Sequence, residues 1–370
     1  MKIEHRVFIT STASVSCAGE NNQILFNNIK RGISGIERDV NCFFDAEPAL
    51  GKLSSTQSFN QELLQQCQNI LDQSGLRDFK ETLLIIGSSV GGIALTEEIF
   101  LREKSYKSIN PNFHHIQSIK NILDEQFEFY DDLSFSTACT SSANAIGYAH
   151  EVLSKGLYKN ALVVGIDSLS KTTVGGFLSL GVLSSSISKP FDTHREGMNV
   201  AEAIACLLIE MTPTPNAVEI LGVGYSSDAY HMTHPHPEGL GALLAMRRAL
   251  NSANIEAQEI DYINAHGTGT QANDGAESHA IATLFPHKPY VSSTKSITGH
   301  TLGASGALEA IISTLAIEQE MLPPNSFLEN IENREVNFLL EPKAFSINYL
   351  LSNSFAFGGN NCSLLLGRVR

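Results

Sequence analysis

A cysteine and two histidines, each set among glycine, serine and threonine, are the residues of this chain best suited to covalent chemistry. The three motifs are residues 136–145 around Cys139, residues 264–270 around His266 and residues 293–303 around His300. A thiolate is a strong nucleophile, and an imidazole can transfer a proton to or from a reacting group. Together they suit acyl chemistry at carbon–sulfur and carbon–carbon bonds.

The position of Cys139 favours a nucleophilic role. It follows a predicted strand at residues 133–137 and begins a helix of small residues predicted at 140–157. A helix N-terminus favours a thiolate through its free N–H groups and its dipole. An unpaired cysteine is more often a small buried hydrophobe. Three others adjoin apolar strands and fit that description: Cys17, Cys206 and Cys362.

The histidines are expected at the edge of a sheet. His266 follows a predicted strand at residues 262–265, and ligands bind at the carboxyl ends of strands in open α/β sheets. His300 lies just before a predicted helix. Lys295, five residues earlier, could hold an acid such as Glu309 and so orient the neighbouring imidazole. The alternative for Lys295 is an ordinary surface lysine.

Two other groups keep more than one interpretation. Asp274 and Glu277 lie three residues apart at a helix start, where they could interact with the helix dipole or bind a lysine. The sequence of residues 353–361 predicts a mobile turn that carries two phenylalanines beside a pair of glycines. The turn could be a hydrophobic flap or a plain connection between strands.

A histidine cluster at His231, His234 and His236 could suggest a metal site. Prolines interrupt the cluster, and no cysteine or acid supplies convincing further ligands. We therefore expect no metal there, and interpret the segment as a loop near the mouth of a pocket.

Length and composition exclude several classes of protein. The 370 residues suffice for about two domain-sized units, and no apolar run approaches the roughly 20 residues that cross a bilayer. The net charge of −14 argues against a general nucleic-acid binder, which normally carries a basic face. The first residues lack the apolar segment of a signal peptide. The six cysteines, at 17, 42, 67, 139, 206 and 362, form no disulfide pattern. We expect a cytoplasmic protein without membrane insertion.

Apolar segments alternate with helical patterns along the whole chain, which predicts an α/β fold. Several strands are continuous apolar runs, typical of strands covered on both faces. Strands are predicted at residues 6–10, 82–87, 133–137, 161–166, 203–210, 220–225, 262–265, 290–292 and 363–367. The predicted helices include residues 140–157, 241–253, 274–285 and 302–320, and a polar surface helix at 56–73.

The two parts of the chain are loosely parallel. Each has a reactive residue at a strand end, Cys139 or His266, followed by glycine, serine or threonine and a helix of small residues. We interpret this as a hint of internal duplication. The first half is predicted at residues 1–214 and carries the nucleophile, and the second is predicted at 215–370 and carries both histidines.

Six segments, taken in order, resemble the β-ketoacyl-[acyl carrier protein] synthases, the elongating type I/II branch of the thiolase-like condensing enzymes. They are residues 137–143, 189–192, 226–233, 264–270, 292–300 and 353–359. Each alone could mislead, but their order over nearly the whole chain is highly specific. Two histidines distinguish the chain from the Cys-His-Asn branch that uses acyl-CoA starters. They also distinguish it from thiolases, which use a second cysteine.

The resemblance implies a five-layer αβαβα sandwich of two duplicated halves that works as a dimer. It implies that Cys139 accepts an acyl group from the phosphopantetheine of an acyl carrier protein. Backbone N–H groups of Cys139 and Phe357 would form the oxyanion hole. His266 and His300 would assist decarboxylation of malonyl-carrier protein, and the resulting carbanion would attack the Cys139 thioester. The chain would need no metal or organic cofactor of its own.

The resemblance also implies roles for the residues around these three. Lys295 and Glu309 match a supporting pair behind the histidines. The residues expected to contact substrate are Thr268, Thr270, Phe355 and, at the far end of the acyl pocket across the dimer, Ile109. Two further matches, structural or near the pocket mouth, are Glu202 and Asp228.

The chain departs from the family pattern in several places. Ala356 replaces a glycine before the gating Phe357, and residues 199–203 lack glycines usual in the family. Basic residues that hold the acidic carrier protein are missing from residues 57–73. The remaining candidates are Arg102, Lys104, Lys107, Lys189 and Arg195. These departures are more similar to a secondary-metabolic ketosynthase, such as those of aryl polyene clusters, than to one of fatty-acid synthesis.

The sequence therefore predicts a ketosynthase that condenses an acyl group on Cys139 with malonyl-carrier protein to give 3-ketoacyl-carrier protein. The alternative is a mainly structural subunit, like a chain length factor, that pairs with a related ketosynthase and shapes its pocket. The intact set of Cys139, His266, His300 and Lys295 favours the enzyme. Acyl chain length and the choice between homodimer and heterodimer are left open.

Overall fold

The computed structural model describes residues 5–39 and 46–369, so Cys42 lies outside the described residues. The α-helices are α1 (Asn22–Arg31), α2 (Phe59–Ser74), α3 (Ile93–Glu103), α4 (Gln117–Leu123), α5 (Ser141–Ser154), α6 (Lys171–Ser179), α7 (Leu240–Ala253), α8 (Gln271–Leu284), α9 (Lys295–Thr298) and α10 (Ser305–Glu318). The strands are β1 (Phe8–Ser16), β2 (Glu37–Arg38), β3 (Ala49–Leu50), β4 (Thr82–Gly87), β5 (Asp131–Phe135), β6 (Asn160–Asp167), β7 (Ala203–Glu210), β8 (Val218–Ser227), β9 (Tyr262–Asn264), β10 (Tyr290–Ser292), β11 (Met321–Leu322), β12 (Asn337–Phe338), β13 (Lys343–Ala344), β14 (Tyr349–Phe355) and β15 (Asn360–Arg368).

Five strands of the first half form one sheet in the order β5-β4-β6-β7-β1. The pairs β5–β4 and β4–β6 are parallel, whereas β6–β7 and β7–β1 are antiparallel. Strand β4 is buried along its whole length, as its unbroken apolar sequence predicts for a strand covered on both faces.

The second half repeats this topology. Its strands follow the order β10-β9-β14-β15-β8, and β12 extends the sheet beyond β10. The pairs β10–β9 and β9–β14 are parallel, whereas β14–β15 and β15–β8 are antiparallel. Numbered within each half, both sheets have the order 3-2-4-5-1. β1 pairs with β8 over two residues, which joins the sheets.

Helices and sheets alternate in five layers. α2 packs on β1 and β7, outside the first sheet, and α7 packs on β8 and β15, outside the second. α5 and α10 contact each other and both sheets, and so form the central layer. Separate apolar cores fill the outer and central layers. The predicted five-layer αβαβα sandwich is confirmed. The exact boundary after residue 214 stays a prediction.

The central helices approach closely because small residues face each other. A Cβ on Gly306 of α10 would lie 2.6 Å from the backbone nitrogen of Ala143 in α5. Ser142 Oγ accepts a hydrogen bond from the N–H of Ala307 at 2.9 Å. The sequence Ser-Ser-Ala-Asn-Ala after the nucleophile is therefore a packing requirement as well as a catalytic motif.

The predicted surface helix at residues 56–73 is α2, which Ser58 caps by accepting a hydrogen bond from the N–H of Gln61. The helix is amphipathic, because Leu63, Cys67 and Ile70 are buried against the sheet. No helix among residues 5–39 and 46–369 is long and apolar enough to span a membrane.

One predicted element was wrong. Residues 353–361 are not a single turn, because β14 continues to Phe355 and β15 begins at Asn360. Only residues 356–359 connect the two strands. Strand β14 was not predicted from the sequence because three of its buried residues are polar: Ser352, Asn353 and Ser354.

Candidate active site

The carboxyl ends of the parallel strands in both sheets carry the candidate site. In the first half Ser88 follows β4, Cys139 follows β5, and Asp167 ends β6. In the second half His266 follows β9, His300 follows β10, and Phe357 follows β14. By strand order, Cys139 therefore corresponds to His300. The parallel between Cys139 and His266 expected from the sequence was wrong, since His266 follows the second strand of its half.

The turn before Cys139 is strained and tightly hydrogen-bonded. Ala138 has a φ of 53°, in the left-handed region that costs free energy for a residue with a Cβ. The Ser141 hydroxyl donates to the carbonyl of Ala138 at 2.6 Å and accepts the N–H of Thr137 at 2.9 Å. These bonds fix the sharp turn by which Cys139 enters the start of α5.

Burial dominates the electrostatics of the Cys139 thiol. Loss of solvation raises its pKa to about 11, against the lowering effects of the Lys295 charge and of the N–H groups of Phe357 and Cys139. The sequence led us to expect the helix N-terminus to favour a thiolate. Both N–H groups do lower the pKa of the thiol, but burial outweighs them.

The orientation of the His266 ring follows from a buried ion pair. The Lys295 ammonium lies 3.3 Å from His266 Nδ1 and pairs with the Glu309 carboxylate. All three side chains are buried. Because an ammonium can only donate hydrogen bonds, His266 Nδ1 must accept. The proton of a neutral His266 is therefore on Nε2.

Two buried carboxylates hold the backbone around His266. Glu277 accepts the N–H groups of His266 and Gly267, both at 2.8 Å. Asp274 accepts the N–H of Thr268 at 3.0 Å and that of Gly269 at 3.1 Å. The two acids bind backbone amides of the histidine loop rather than a lysine. Their spacing on α8 lets one helix face hold four successive N–H groups.

His300 is held in the same tautomer by its own backbone. The N–H of Leu302 donates to His300 Nδ1 at 3.1 Å, and the hydroxyl of Ser305 lies 3.1 Å from the same nitrogen. A backbone N–H cannot accept, so Nδ1 is the acceptor and Nε2 carries the proton.

The two imidazoles form a pair of neutral donors. Their ring centroids are 5.2 Å apart and their planes are nearly perpendicular, at 89°. Burial lowers the pKa of both rings well below the usual value, and the Lys295 charge lowers it further. Neutral rings with Nε2–H groups can stabilise a developing oxyanion by hydrogen bonding without carrying a charge themselves.

One cavity brings the predicted residues together. Those lining it are Cys139, His266, His300, Thr268, Thr270, Phe355 and Phe357. Thr268 and Thr270 share a hydrogen bond of 2.9 Å between their hydroxyls. Lys295 and Glu309 lie behind His266, outside the lining. Ile109 does not line the cavity, and its expected position across a dimer stays a prediction.

Residues 356–359 form part of the cavity wall. The N–H of Gly358 donates to the carbonyl of Met232, and the N–H of Asp228 donates to that of Gly359, each at 2.7 Å. Gly358 and Gly359 have φ angles of 83° and 78°, which only glycine adopts readily. This segment, which we call the flap, thus binds to the loop that carries the histidine cluster.

The histidine cluster lies at the mouth of the same cavity. His231 and His234 line it, with their Nδ1 atoms 3.1 Å apart. In the described part of the chain, no group of three or more histidine, cysteine, aspartate or glutamate side chains could hold a metal ion.

Two of the candidate carrier-docking residues have other partners. Arg195 is buried, lies 2.7 Å from Glu332, and donates to the carbonyls of Asp192 and Thr270. Its selection as a docking residue was wrong, because a buried guanidinium cannot meet a partner. Lys189 pairs with Glu329 at 3.0 Å.

Sequence reasoning missed Asp167 altogether. Its side chain is buried beside the site, yet the residues around it read as an ordinary strand end. Of the two roles expected for Glu202, structural or near the pocket mouth, the structure favours the first, because it accepts the N–H groups of Leu53 and Leu169. Asp228 lines the cavity.

Two family models match the chain. The β-ketoacyl synthase N-terminal domain matches residues 40–214, and the C-terminal domain matches residues 217–329. The 3-oxoacyl-[acyl-carrier-protein] synthase 2 of Coxiella burnetii is 34% identical, with 99% of each chain covered.

Solved structures agree with this assignment. A ketosynthase from Xenorhabdus doucetiae, solved in complex with its chain length factor, is 32% identical with a TM-score of 0.89, and 99% of this chain and 98% of that one are covered. A β-ketoacyl synthase from Burkholderia phymatum is 28% identical with a TM-score of 0.88, and 99% of this chain and 100% of that one are covered. Sequence, sheet order and cavity agree with these likenesses, and the chain belongs to the β-ketoacyl synthase family of acyltransferases.

Proposed function

We propose that the chain is a 3-oxoacyl-[acyl-carrier-protein] synthase that elongates an acyl group by decarboxylative condensation with malonyl-carrier protein. The observation that carries the proposal is the convergence of one thiol and two Nε2–H donors in a single cavity. The enzyme binds the oxygen that becomes negative, and not only the substrate, which is the basis of rate acceleration.

The first step is transfer of an acyl group from carrier protein to Cys139. The sulfur attacks the thioester carbon, and the N–H groups of Cys139 and Phe357 bind the oxyanion. A new carbon–sulfur bond forms, the old one breaks, and the phosphopantetheine sulfur leaves with the proton of the Cys139 thiol. The covalent intermediate divides one difficult condensation into two easier steps.

The second step is decarboxylation of the malonyl thioester. The Nε2–H groups of His266 and His300 bind its carbonyl oxygen, the carboxylate leaves as carbon dioxide, and an enolate remains. The enolate carbon attacks the Cys139 thioester, a carbon–carbon bond forms, and the cysteine sulfur leaves as a thiolate that takes a proton from solvent to restore the thiol. Two hydrogen bonds to the enolate oxygen replace the hydration that this buried site lacks.

The reaction as proposed uses no metal ion or organic cofactor belonging to this chain. Loss of carbon dioxide drives the condensation, hydrogen-bond donors stabilise the negative charge, and phosphopantetheine arrives on the carrier protein. Thr268 and Thr270, at the cavity wall, are suited to bind the amide groups of that arm.

A dimer is part of the proposal. The relative from Xenorhabdus doucetiae was solved in complex with its chain length factor, which supports pairing with a related chain. Whether the partner is identical, whether the pathway makes aryl polyenes and whether the protein is cytoplasmic stay predictions from the sequence. The alternative role, a structural subunit, is disfavoured because the nucleophile and both imidazoles are intact.

Intact-mass measurement after incubation with an acyl-carrier protein tests the proposal. We expect an acyl adduct on the wild-type chain and none on Cys139→Ser. Cys206→Ala is the matched control, because Cys206 is buried in β7 away from the cavity, and it should keep the adduct. Malonyl-carrier protein should then release the adduct as 3-ketoacyl-carrier protein.

The structural-subunit alternative makes the opposite prediction. A pair formed with a related ketosynthase would give the same product when this chain carries Cys139→Ala. That result, together with no adduct on the wild-type chain, would overturn the proposal.

A further inference from the structure

The buried carboxylate of Asp167 ends β6 and has no part in the steps above. It accepts hydrogen bonds from the Ser88 hydroxyl at 2.6 Å, the Ser89 hydroxyl at 2.5 Å and the N–H of Val90 at 3.0 Å. The N–H of Ser89 lies 3.0 Å from both oxygens. These donors oppose the burial that raises the pKa of the Asp167 carboxyl.

One further donor comes from the other half of the chain. The N–H of Gly303 donates to Asp167 Oδ2 at 2.6 Å. A Cβ on Gly303 would lie 2.8 Å from that oxygen and 2.5 Å from the backbone nitrogen of Ser89, so the approach requires glycine. Asp167 therefore links the loop after β4 to the segment that follows His300.

The segment between His300 and Gly303 has an unusual backbone. Leu302 has a φ of 53°, a left-handed conformation that costs a leucine on the order of 1 kcal/mol. The N–H of the same residue donates to His300 Nδ1 at 3.1 Å. A residue in such a conformation persists only when its surroundings hold it, and the next residue is the one that Asp167 binds.

The tautomer of His300 depends on that backbone N–H. Ser305 also contacts His300 Nδ1, but a hydroxyl can either donate or accept. It would tolerate a proton on Nδ1 equally well. The Leu302 N–H can only donate, so it alone forces the ring proton onto Nε2, which faces the cavity.

We propose that Asp167 is a positioning residue for the condensation step. By binding the Gly303 N–H it holds Leu302 in the left-handed conformation, and so keeps His300 in the Nε2–H tautomer that donates to the enolate oxygen. The inference rests on the proposed function, and it concerns the decarboxylation step and not the acylation of Cys139.

The substitution Asp167→Asn tests the inference with almost no change in size. Every group around the carboxylate donates or can donate, so the amide NH₂ must face at least one backbone N–H. In one orientation the NH₂ faces the Val90 N–H and in the other it faces the Gly303 N–H, and in both the Gly303 N–H loses its charged acceptor. Ser88→Ala is the matched control, because it removes one donor to the same carboxylate on the side away from Gly303.

Two rates separate positioning from general damage. We expect Asp167→Asn to lower the malonyl decarboxylation rate of pre-acylated enzyme by roughly 10- to 100-fold, less than the roughly 10²- to 10³-fold cost of removing one oxyanion donor, because the donor is impaired and not removed. Acylation of Cys139 should stay within a few-fold of wild type, because it uses the N–H groups of Cys139 and Phe357. Ser88→Ala should change decarboxylation by less than about threefold, as expected for one neutral hydrogen bond of several.

Nitrogen-15 NMR of histidine-labelled protein gives a readout that a merely structural role would not move. The His300 signal, assigned with a His300→Ala sample, should show one protonated Nε2 in wild type and a mixture of tautomers in Asp167→Asn. An unchanged tautomer, or equal losses of acylation and decarboxylation, would overturn the inference. If Asp167→Asn fails to fold, Ser89→Ala weakens the Oδ2 side that binds Gly303, and its selective fall in decarboxylation, although smaller, must exceed that of Ser88→Ala.

These outcomes are separable from failure of the proposed function. A wild-type protein that neither acylates nor condenses would refute the proposed function, yet its His300 tautomer could still be measured. A wild-type enzyme that condenses, with an Asp167→Asn variant equal to it in both rates, would refute this inference alone.

Discussion

At the scale of single residues, Cys139 combines a reactive position with an unreactive resting state. It lies two residues before α5, and the N–H groups of Phe357 and Cys139 lower its pKa, but burial outweighs them and keeps the thiol protonated at neutral pH. Acylation therefore includes release of the cysteine proton, which the departing phosphopantetheine sulfur can accept. A protonated resting thiol also protects the enzyme from unwanted alkylation and oxidation, because the thiolate is the reactive form.

This leads to a prediction about alkylation. The rate of Cys139 modification by iodoacetamide should rise about tenfold per pH unit from pH 7 to 10, because the thiolate fraction grows until the pH reaches a pKa of about 11. Peptide mass spectrometry measures the rate at this site, with Cys139→Ser as the blank. A rate that levels off at about pH 9 would indicate an ordinary pKa, and a rate already constant above pH 7 would indicate a lowered one, and either result would contradict the prediction.

At the scale of elements, helix α8 positions the loop of His266. Glu277 binds two N–H groups of that loop and is fully buried, and burial raises its pKa to about 7. Between its ordinary value and pH 7 the folded protein holds a proton that the unfolded chain has released. The contribution of Glu277 to the free energy of unfolding therefore falls as the pH rises through this window.

Glu277→Gln should remove that pH dependence and disturb the loop. The slope of unfolding free energy against pH between pH 5 and 7 should become more positive by up to about 1.4 kcal/mol per unit, the value for one proton. Urea denaturation at several pH values measures the slope. The amide NH₂ faces a buried N–H, so condensation should also slow. Glu341→Gln, at an exposed position, is the control, and equal slopes in both variants would contradict the prediction.

The central helices make a second prediction at this scale. Gly306→Val should force α5 and α10 apart, because a Cβ there would meet Ala143 at 2.6 Å. Overpacking of this kind typically costs about 1–3 kcal/mol, and it displaces the helices that follow Cys139 and His300. The midpoint temperature of thermal denaturation and the condensation rate should both fall.

A glycine in an open helix position provides the contrast. Gly275 in α8 has only an arginine nitrogen 4.0 Å from its ideal Cβ. Gly275→Ala should be neutral or stabilise by up to about 1 kcal/mol through helix propensity. If Gly306→Val were as stable as Gly275→Ala, close helix packing would not be what the small residues provide.

At the scale of the whole molecule, the net charge of −14 opposes an acidic carrier protein. Of the five basic candidates, Arg195 is buried and Lys189 is paired, while Lys104 and Lys107 are exposed near α3. The attraction of an acidic carrier protein to a small basic patch must therefore exceed its repulsion by the net negative charge of the whole protein.

Charge reversal tests that patch. Lys104→Glu with Lys107→Glu should raise the KM for acyl-carrier protein several-fold, most strongly at low salt, and leave kcat nearly unchanged, since the cavity is untouched. Lys159→Glu, an exposed lysine paired with Glu81 at 3.1 Å, is the matched control. An unchanged KM in the double variant would place carrier docking on another surface or on a partner chain.

The sequence by itself determined the family, the α/β class and the residues of the reacting set. Short motifs carry that information because a nucleophile at a helix start and glycines beside a histidine are local requirements. The strands with unbroken apolar runs could also be predicted from local sequence, because a strand buried on both faces needs apolar side chains at successive positions.

Only the tertiary structure decided how these residues act. That Cys139 corresponds to His300, that Arg195 is buried, and that β14 is a strand all depend on which segments pack together. The protonation of Cys139 and the tautomers of both histidines depend on burial and on donors from distant segments, such as Lys295 and Leu302. Solvation and hydrogen bonding are set by neighbours in space, and a linear order of residues does not specify those neighbours.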